Sequence, residues 1–291
     1  MNLYHYTDLN AVHSILETHK IRMTDIRFLN DKTEYLKGLE ILQEASHEVF
    51  LQTSKYDDEF ANVTDGWLEK AFKELSDFEN ASEMFYVASF SRSSDTLSQW
   101  RSYGMFAIEF DGEKLANRVN TWALKRTQST KKTVNIEFIE CHYVLHLQDA
   151  IEEALDLIRT KVIDTIYDWW LPNSPIEQNM HLYRDLREII SMLATTFKHS
   201  SFSEEEEVRL VISDNIVSGN INFRTKNTIL IPYYELDVSA EAISGVKVGP
   251  VENQKITEQS LYMYNLHRAA KLGGDAYLLN IETSDIPYRT L

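Results

Sequence analysis

The chain has 291 residues, with 45 acidic against 29 basic side chains, nine glycines, five prolines, one cysteine and 43% hydrophobic residues. Glycine and proline are too few for a linker-rich or collagen-like protein, and apolar residues are too many for a disordered one, so the chain can bury a core. Its net charge of −16 repels a phosphate backbone and sets non-specific nucleic-acid binding aside as a primary role, while the single Cys141 leaves no intrachain disulfide and no cysteine cage for zinc.

In chain order, Leu3 to Thr7 reads as a short strand, and Thr7 or Asp8 can cap a helix carrying Leu9, Val12, Ile15 and Leu16. Ile21 to Leu29 reads as extended or irregular. Asn30-Asp31 can then cap a second helix with Leu36, Leu39, Leu42 and Val49 on one side, and Phe60, Val63, Trp67, Ala71, Phe72 and Leu75 mark a third. Met84 to Ser91 and Met105 to Phe110 have strand character and bracket a turn-like loop from Arg92 to Gly104. Val134 to Leu145 reads as a longer strand. A helical block follows, broken once at Leu171-Pro172-Asn173-Ser174-Pro175. Strands are expected again at Val208 to Ser213, Asn220 to Arg224, Thr228 to Ile231 and Ile243 to Val248. Gln254 to Leu272 reads as a helix stopped by Gly273-Gly274, and Ala276 to Ile281 as a last strand. The expected class is α+β: a mixed or antiparallel central sheet flanked by helices, as one domain over 1–291 with a helical insertion at about 148–200.

The N-terminus lacks a basic and apolar leader, and no apolar run approaches the ~18 residues of a membrane span, so a cytoplasmic protein with no membrane partner is expected. No G-x-G-x-x-G, G-x-x-x-x-G-K-[ST], G-x-S-x-G or H-E-x-x-H occurs, which removes sequence support for dinucleotide-fold dehydrogenases, P-loop NTPases, α/β-hydrolases and zincins. His142 and His146, beside Cys141, read as ordinary strand histidines in preference to a metal site.

Three polar clusters stand out. With strand geometry beginning near Glu205, Val208, Leu210 and Ile212 face the core, while Glu205, Glu207 and Arg209 project together from the opposite face. Paired carboxylates suit general acid-base work, metal binding or stabilisation of a developing cation; the competing reading is a solvated acidic strand start. Because the neighbours do the packing, Glu207→Gln is expected to cost little stability. Ser89-Phe90-Ser91, followed by Asp95-Thr96-Leu97-Ser98-Gln99-Trp100-Arg101-Ser102-Tyr103-Gly104, mixes polar groups with aromatic rings and suits either a pocket wall or an aromatic plug. In His5-Tyr6-Thr7, His5 and Thr7 share one strand face. Asp31 and Glu34 fit a helix start as well as a site.

Taken in order, these pieces resemble a bacterial domain family of unknown function, the one numbered 2971. Its members carry His-Tyr-Thr, Leu-Asn-Asp-x-x-Glu, Phe-Ser followed by Asp-x-Leu-Ser-Gln-Trp-Arg-x-Tyr, Glu-x-Glu-x-Arg, a late Gly-Pro, and Ile-Pro-Tyr-Arg, present here as His5 to Thr7, Leu29 to Glu34, Phe90 to Tyr103, Glu205 to Arg209, Gly249-Pro250 and Ile286 to Arg289. Lys32 stands where Pro is common and Phe202 where Trp is common. The order His-Tyr-Thr, Ser-Phe-Ser, Glu-x-Glu is also similar to the three-part signature of NAD-consuming ADP-ribosyltransferases.

The second resemblance implies NAD as substrate and an ADP-ribosyltransferase or NAD glycohydrolase of a bacterial defence or toxin-type system. His5, Glu205 and Glu207 would be the catalytic set, with Glu207 stabilising the oxocarbenium-like ribose and Glu205 orienting the acceptor. Thr7, Asn30, Ser89, Ser91, Gln99, Trp100, Arg101, Tyr103 and Arg209 would bind the nucleotide, with Trp100 or Tyr103 stacking on nicotinamide. The partners implied are a nucleotide and a macromolecular acceptor, and no metal is expected. Two alternatives stay open: a metal-dependent nuclease or phosphoesterase using Asp31, Glu34, Glu205 and Glu207, and a non-catalytic nucleotide-sensing domain.

Overall fold

Asp8 begins the first helix by accepting the Ala11 amide at 2.8 Å, so strand β1 (Asn2–Thr7) runs directly into α1 (Leu9–Thr18). The computed structural model describes residues 1–29, 33–50, 55–77, 83–130, 136–215, 219–274 and 277–287. After α1 come β2 (Lys20–Asp25), α2 (Thr33–Ser46), α3 (Asp58–Ser76), β3 (Glu83–Ser91), α4 (Leu97–Tyr103), β4 (Phe106–Asp111) and α5 (Gly112–Thr130). The middle of the chain holds β5 (Ile136–Glu140), β6 (His142–Val144), α6 (Leu147–Leu157), a π-helical stretch (Ile158–Ile163), α7 (Asp164–Trp169), α8 (Ile176–Ala194) and β7 (Phe197–His199). The last part holds β8 (Glu207–Asn215), β9 (Ile221–Lys226), β10 (Ile229–Asp237), β11 (Ile243–Val248), α9 (Gln254–Leu272) and β12 (Asn280–Thr283).

Among the described residues, ten strands form one sheet in the order β12-β11-β4-β1-β3-β2-β10-β9, with β8 also paired to β3 and β5 paired to β8. Only β11 and β12 run parallel in it; β6 and β7 form a small parallel pair of their own. The class is α+β with a mostly antiparallel sheet, as expected from a helical block set between strand-rich stretches.

The period-two alternation of β3 and β8 sorts their side chains into two cores. Tyr86, Ala88, Phe90, Val208, Leu210 and Ile212 face a core shared with α1, α5 and α9, while Phe85, Val87 and Val211 face a second core shared with α2, α3 and the helices between 147 and 194. No helix among the described residues is long and apolar enough to cross a membrane.

Several expectations need correcting, among them the last strand, expected over Ala276 to Ile281, which among the described residues begins only at Asn280. The Arg92 to Gly104 loop contains α4, a helix of two turns. The helix α5 lies outside the expected elements although Leu115, Val119 and Trp122 fall at helical spacing within its polar sequence, and those residues pack on the core. Of the strand expected over Val134 to Leu145, residues 134 and 135 lie outside the described residues and the rest holds two strands: the Cys141 amide bonds the Glu207 carbonyl at 2.9 Å and the next amide, His142, bonds the Thr196 carbonyl at 2.8 Å, so the chain changes sheets between them. β10 runs past Pro232 because its pairing with β2 begins only at Tyr233, so the proline deprives that ladder of no donor. His142 is a strand histidine paired with Glu153, and His146 is the N-cap residue of α6.

Candidate functional site

β3 is paired along its full length with β8 on one edge, from Glu83 opposite Asn215 to Ser91 opposite Glu207. The other edge is shared. β1 meets it at Ser91 and β2 at Tyr86 and Val87, which leaves residues 88–90 without a strand partner on that side. The imidazole of His5 fills part of the deficit: Nδ1 lies 2.9 Å from the Ser89 carbonyl oxygen. Since a carbonyl only accepts, Nδ1 carries the proton and Nε2 is left as an acceptor. Burial pushes the His5 pKa below its ordinary value, so the ring stays neutral.

A cleft of about 360 Å³ opens at this gap in the sheet. Its lining includes the buried Gln99, Lys198, Glu205, Glu207 and Arg209, which mark its inner end, with His5, Ser89, Glu34 and Tyr103 beside them. Glu207 and Arg209 alternate with Val208 and Leu210 on β8, which places both on the cleft side of the strand. Arg209 grips Glu207 with two nitrogens, Nε to Oε1 at 2.8 Å and Nη2 to Oε2 at 3.2 Å; Nη2 also donates to Glu34 at 2.8 Å, and Nη1 to the Thr195 carbonyl. Lys198 donates to Glu205 and to Glu207, both at 2.7 Å. All four of Lys198, Glu205, Glu207 and Arg209 are buried. Three carboxylates and two cations thus form one network, and partial loss of such a network is costly.

Glu205 reaches it by a route the strand pattern did not show. β8 starts at Glu207; Glu205 ends a 3-10 turn, and Glu206 between them takes a left-handed conformation with φ of 41°. The turn is pinned through its backbone, because Ser91 Oγ and Gln99 Nε2 both donate to the Glu205 carbonyl, at 2.6 and 2.9 Å.

The two carboxylates ionise differently. Burial raises the pKa of Glu205, and Lys198 offsets this only in part. Burial also acts on Glu207, but Arg209 and Lys198 outweigh it and hold the carboxyl well below the usual range. Tyr103 is pushed up to about 12 by burial and remains a neutral phenol. Glu207 accepts three hydrogen bonds, leaving one lone-pair direction on Oε1, and Glu205 accepts one among the described residues. Together with His5 Nε2, the inner cleft offers several acceptors to hydroxyl donors.

Of the residues singled out in the sequence, His5, Ser89, Gln99, Tyr103, Glu205, Glu207 and Arg209 meet here. Four others do not line the cleft. Ser91 is buried behind it, holding the Glu205 carbonyl. Trp100 is an aromatic plug, with Nε1 donating to Asp95 at 2.8 Å and its ring edge-on to Tyr6 at 4.5 Å. Arg101 is turned to solvent by the helical repeat of α4, and Thr7 pairs with Phe106 of β4 at the far end of β1. Asn30, with Asp31 and Lys32, lies outside the described residues.

Sequence reasoning missed Lys198 and the Thr195 carbonyl. The available signal was a lysine in the run Ala194-Thr195-Thr196-Phe197-Lys198, since a cation among buried residues needs a carboxylate partner. It also missed Arg22, Arg224 and Lys226, which line the outer part of the cleft.

Comparison with curated proteins and with solved structures returned no match. Residues 99–210, which run from Gln99 through Lys198 to the Glu205–Arg209 cluster, match the model of a domain family described as Protein of unknown function (DUF2971).

Proposed function

We propose that this cleft cleaves the bond between nicotinamide and ribose in NAD and transfers ADP-ribose to water or to a macromolecular acceptor. The observation that carries the reading is the meeting of His5, Glu205 and Glu207 at the gap between β1 and β2, with hydroxyl acceptors gathered at the inner end. A ribose presents the matching donors.

In this reading the C1′–N bond breaks and its electron pair leaves with nicotinamide, generating an oxocarbenium-like ribose. Glu207, fixed as an anion, accepts a ribose hydroxyl and places negative charge near the developing cation without reorganising. Glu205, whose proton affinity is raised, takes the proton of the attacking water or acceptor hydroxyl as its oxygen bonds to C1′, then releases it to solvent. Neutral His5 orients the ribose through Nε2. Tyr103 and Phe202, 39% and 43% exposed in the cleft wall, offer rings to the flat nicotinamide in place of the buried Trp100. A divalent cation at the same carboxylates would have to displace Lys198 from both Glu205 and Glu207.

Nicotinamide release from NAD, followed chromatographically with and without protein acceptors, tests the proposal. Turnover should fall by roughly 10²-fold or more in Glu207→Gln and in Glu205→Gln. A folded wild type that releases no nicotinamide under either condition overturns it.

A further inference from the structure

Beyond the gap, β2, β10 and β9 continue the sheet, and their register decides which side chains share the cleft face. Thr24 is opposite both Val87 and Tyr233, Arg22 is opposite Glu235, and Arg224 and Lys226 are opposite Ile231 and Ile229. Ladder partners point the same way and faces alternate. Arg22, Arg224 and Lys226 therefore stand on the face that carries Ser89 and Arg209, and all three line the cleft.

None of the three makes an ion pair with a described residue. Glu235, the acid nearest in register to Arg22, is bonded to Lys20 at 3.1 Å, and the Arg22 guanidinium lies over the Tyr233 ring at 4.9 Å. Arg224 reaches Thr24 Oγ1 at 3.5 Å with Nη2, but its Nε is buried with no hydrogen-bond partner. A buried guanidinium N–H without an acceptor is costly unless something else supplies one. Three cations on one wall with no carboxylate partner among the described residues, in a chain of net charge −16, call for an anion, and guanidinium groups favour phosphate oxygens.

We propose that Arg22, Arg224 and Lys226 form a phosphate-binding wall, and that the cleft takes a diphosphate-bearing nucleotide with its ribose toward Glu205 and Glu207. This deepens the reading of the cleft given above by naming where the diphosphate sits, but its test is binding and does not depend on turnover. Calorimetric titration with ADP, inorganic pyrophosphate and adenosine is made on wild type, on Arg224→Gln/Lys226→Gln and on Lys226→Glu, the last changing only an exposed side chain.

ADP and pyrophosphate should bind the wild type, lose at least about tenfold in affinity in each variant and bind more weakly as salt rises, while adenosine is unaffected by the substitutions. Unchanged ADP affinity in variants that melt like the wild type overturns the wall, as does a wild type that binds neither ADP nor pyrophosphate. Charge-dependent ADP binding without nicotinamide release keeps the wall and removes the glycosyl-transfer reading. Nicotinamide release with the same KM for NAD in wild type and variants does the reverse.

Discussion

Glu205 and Glu207 lie two residues apart and share Lys198, yet their ionisation moves in opposite directions because only Glu207 also has Arg209. This alters the expectation that Glu207→Gln costs little stability. The amide removes the charge that two buried cations face, a loss of about 3–5 kcal/mol of unfolding free energy by analogy with broken buried pairs. Urea melts of both proteins measure it. The pH dependence follows from the signs. Glu207 has a depressed folded pKa, so its contribution is complete above the unfolded value of about 4.3 and fades as pH falls toward its folded value. Glu205 has a raised folded pKa, so its contribution is complete below about 4.3 and is lost as pH rises through its folded value. The stability gap between wild type and Glu207→Gln should shrink below about pH 4.3, whereas Glu205→Gln should gain on the wild type as pH rises from there toward neutrality; a gap independent of pH would contradict the pairing.

The element that organises the site is α4 with the segment before it. Seven residues make too short a helix to persist alone, so side-chain bonds hold it. Asp95 accepts from Trp100 Nε1, from Ser284 Oγ at 2.6 Å and from the Asp285 amide at 3.1 Å, tying the helix to the chain beyond β12. Gln99 on the next turn fixes the Glu205 carbonyl. Gly104 ends the helix at φ of 132°, where a Cβ would meet the Thr7 carbonyl oxygen at 2.4 Å. Gly249 lets Trp100 pack, since a Cβ there would stand 2.9 Å from the indole. Gly249→Ala should therefore cost about 1–3 kcal/mol and loosen α4. Denaturant melts give the cost, and the tryptophan emission of the variant reports the packing; a melt identical to wild type would show that the indole can shift freely.

On the scale of the whole molecule, the helices between 147 and 194 do two jobs at once. Ala150, Ala154, Ile158, Val162, Ile166, Leu182, Leu186 and Ile190 complete the core that also contains Leu39 and Leu42 of α2 and Phe60 and Leu68 of α3. The same stretch returns the chain through Thr195 to Lys198, at the heart of the network. Replacing 147–194 by a short linker should abolish cooperative thermal unfolding, because α2, α3 and one face of β3 lose their cover. A sharp melt with sheet-type circular dichroism would instead show a block that the rest of the fold can do without.

What could be read locally was read from local forces. Asp8 caps α1, Gly273 with φ of 116° ends α9 over its expected span, β11 keeps its expected bounds, and Val208, Leu210 and Ile212 pack while Glu207 and Arg209 face away from them. Periodicity and capping act over a few residues, so a single stretch of sequence displays them. The sequence also held most of the inner site as residue types, through His5, Gln99 and Glu205 to Arg209. The tertiary structure alone decided that β1 and β2 part over residues 88–90, that Lys198 meets Glu205 and Glu207, that Trp100 is turned inward, and that Arg22 and Arg224 share a wall. Strand partners and buried ion pairs join residues far apart in the chain, and their choice depends on the packing of both cores, which no local pattern records.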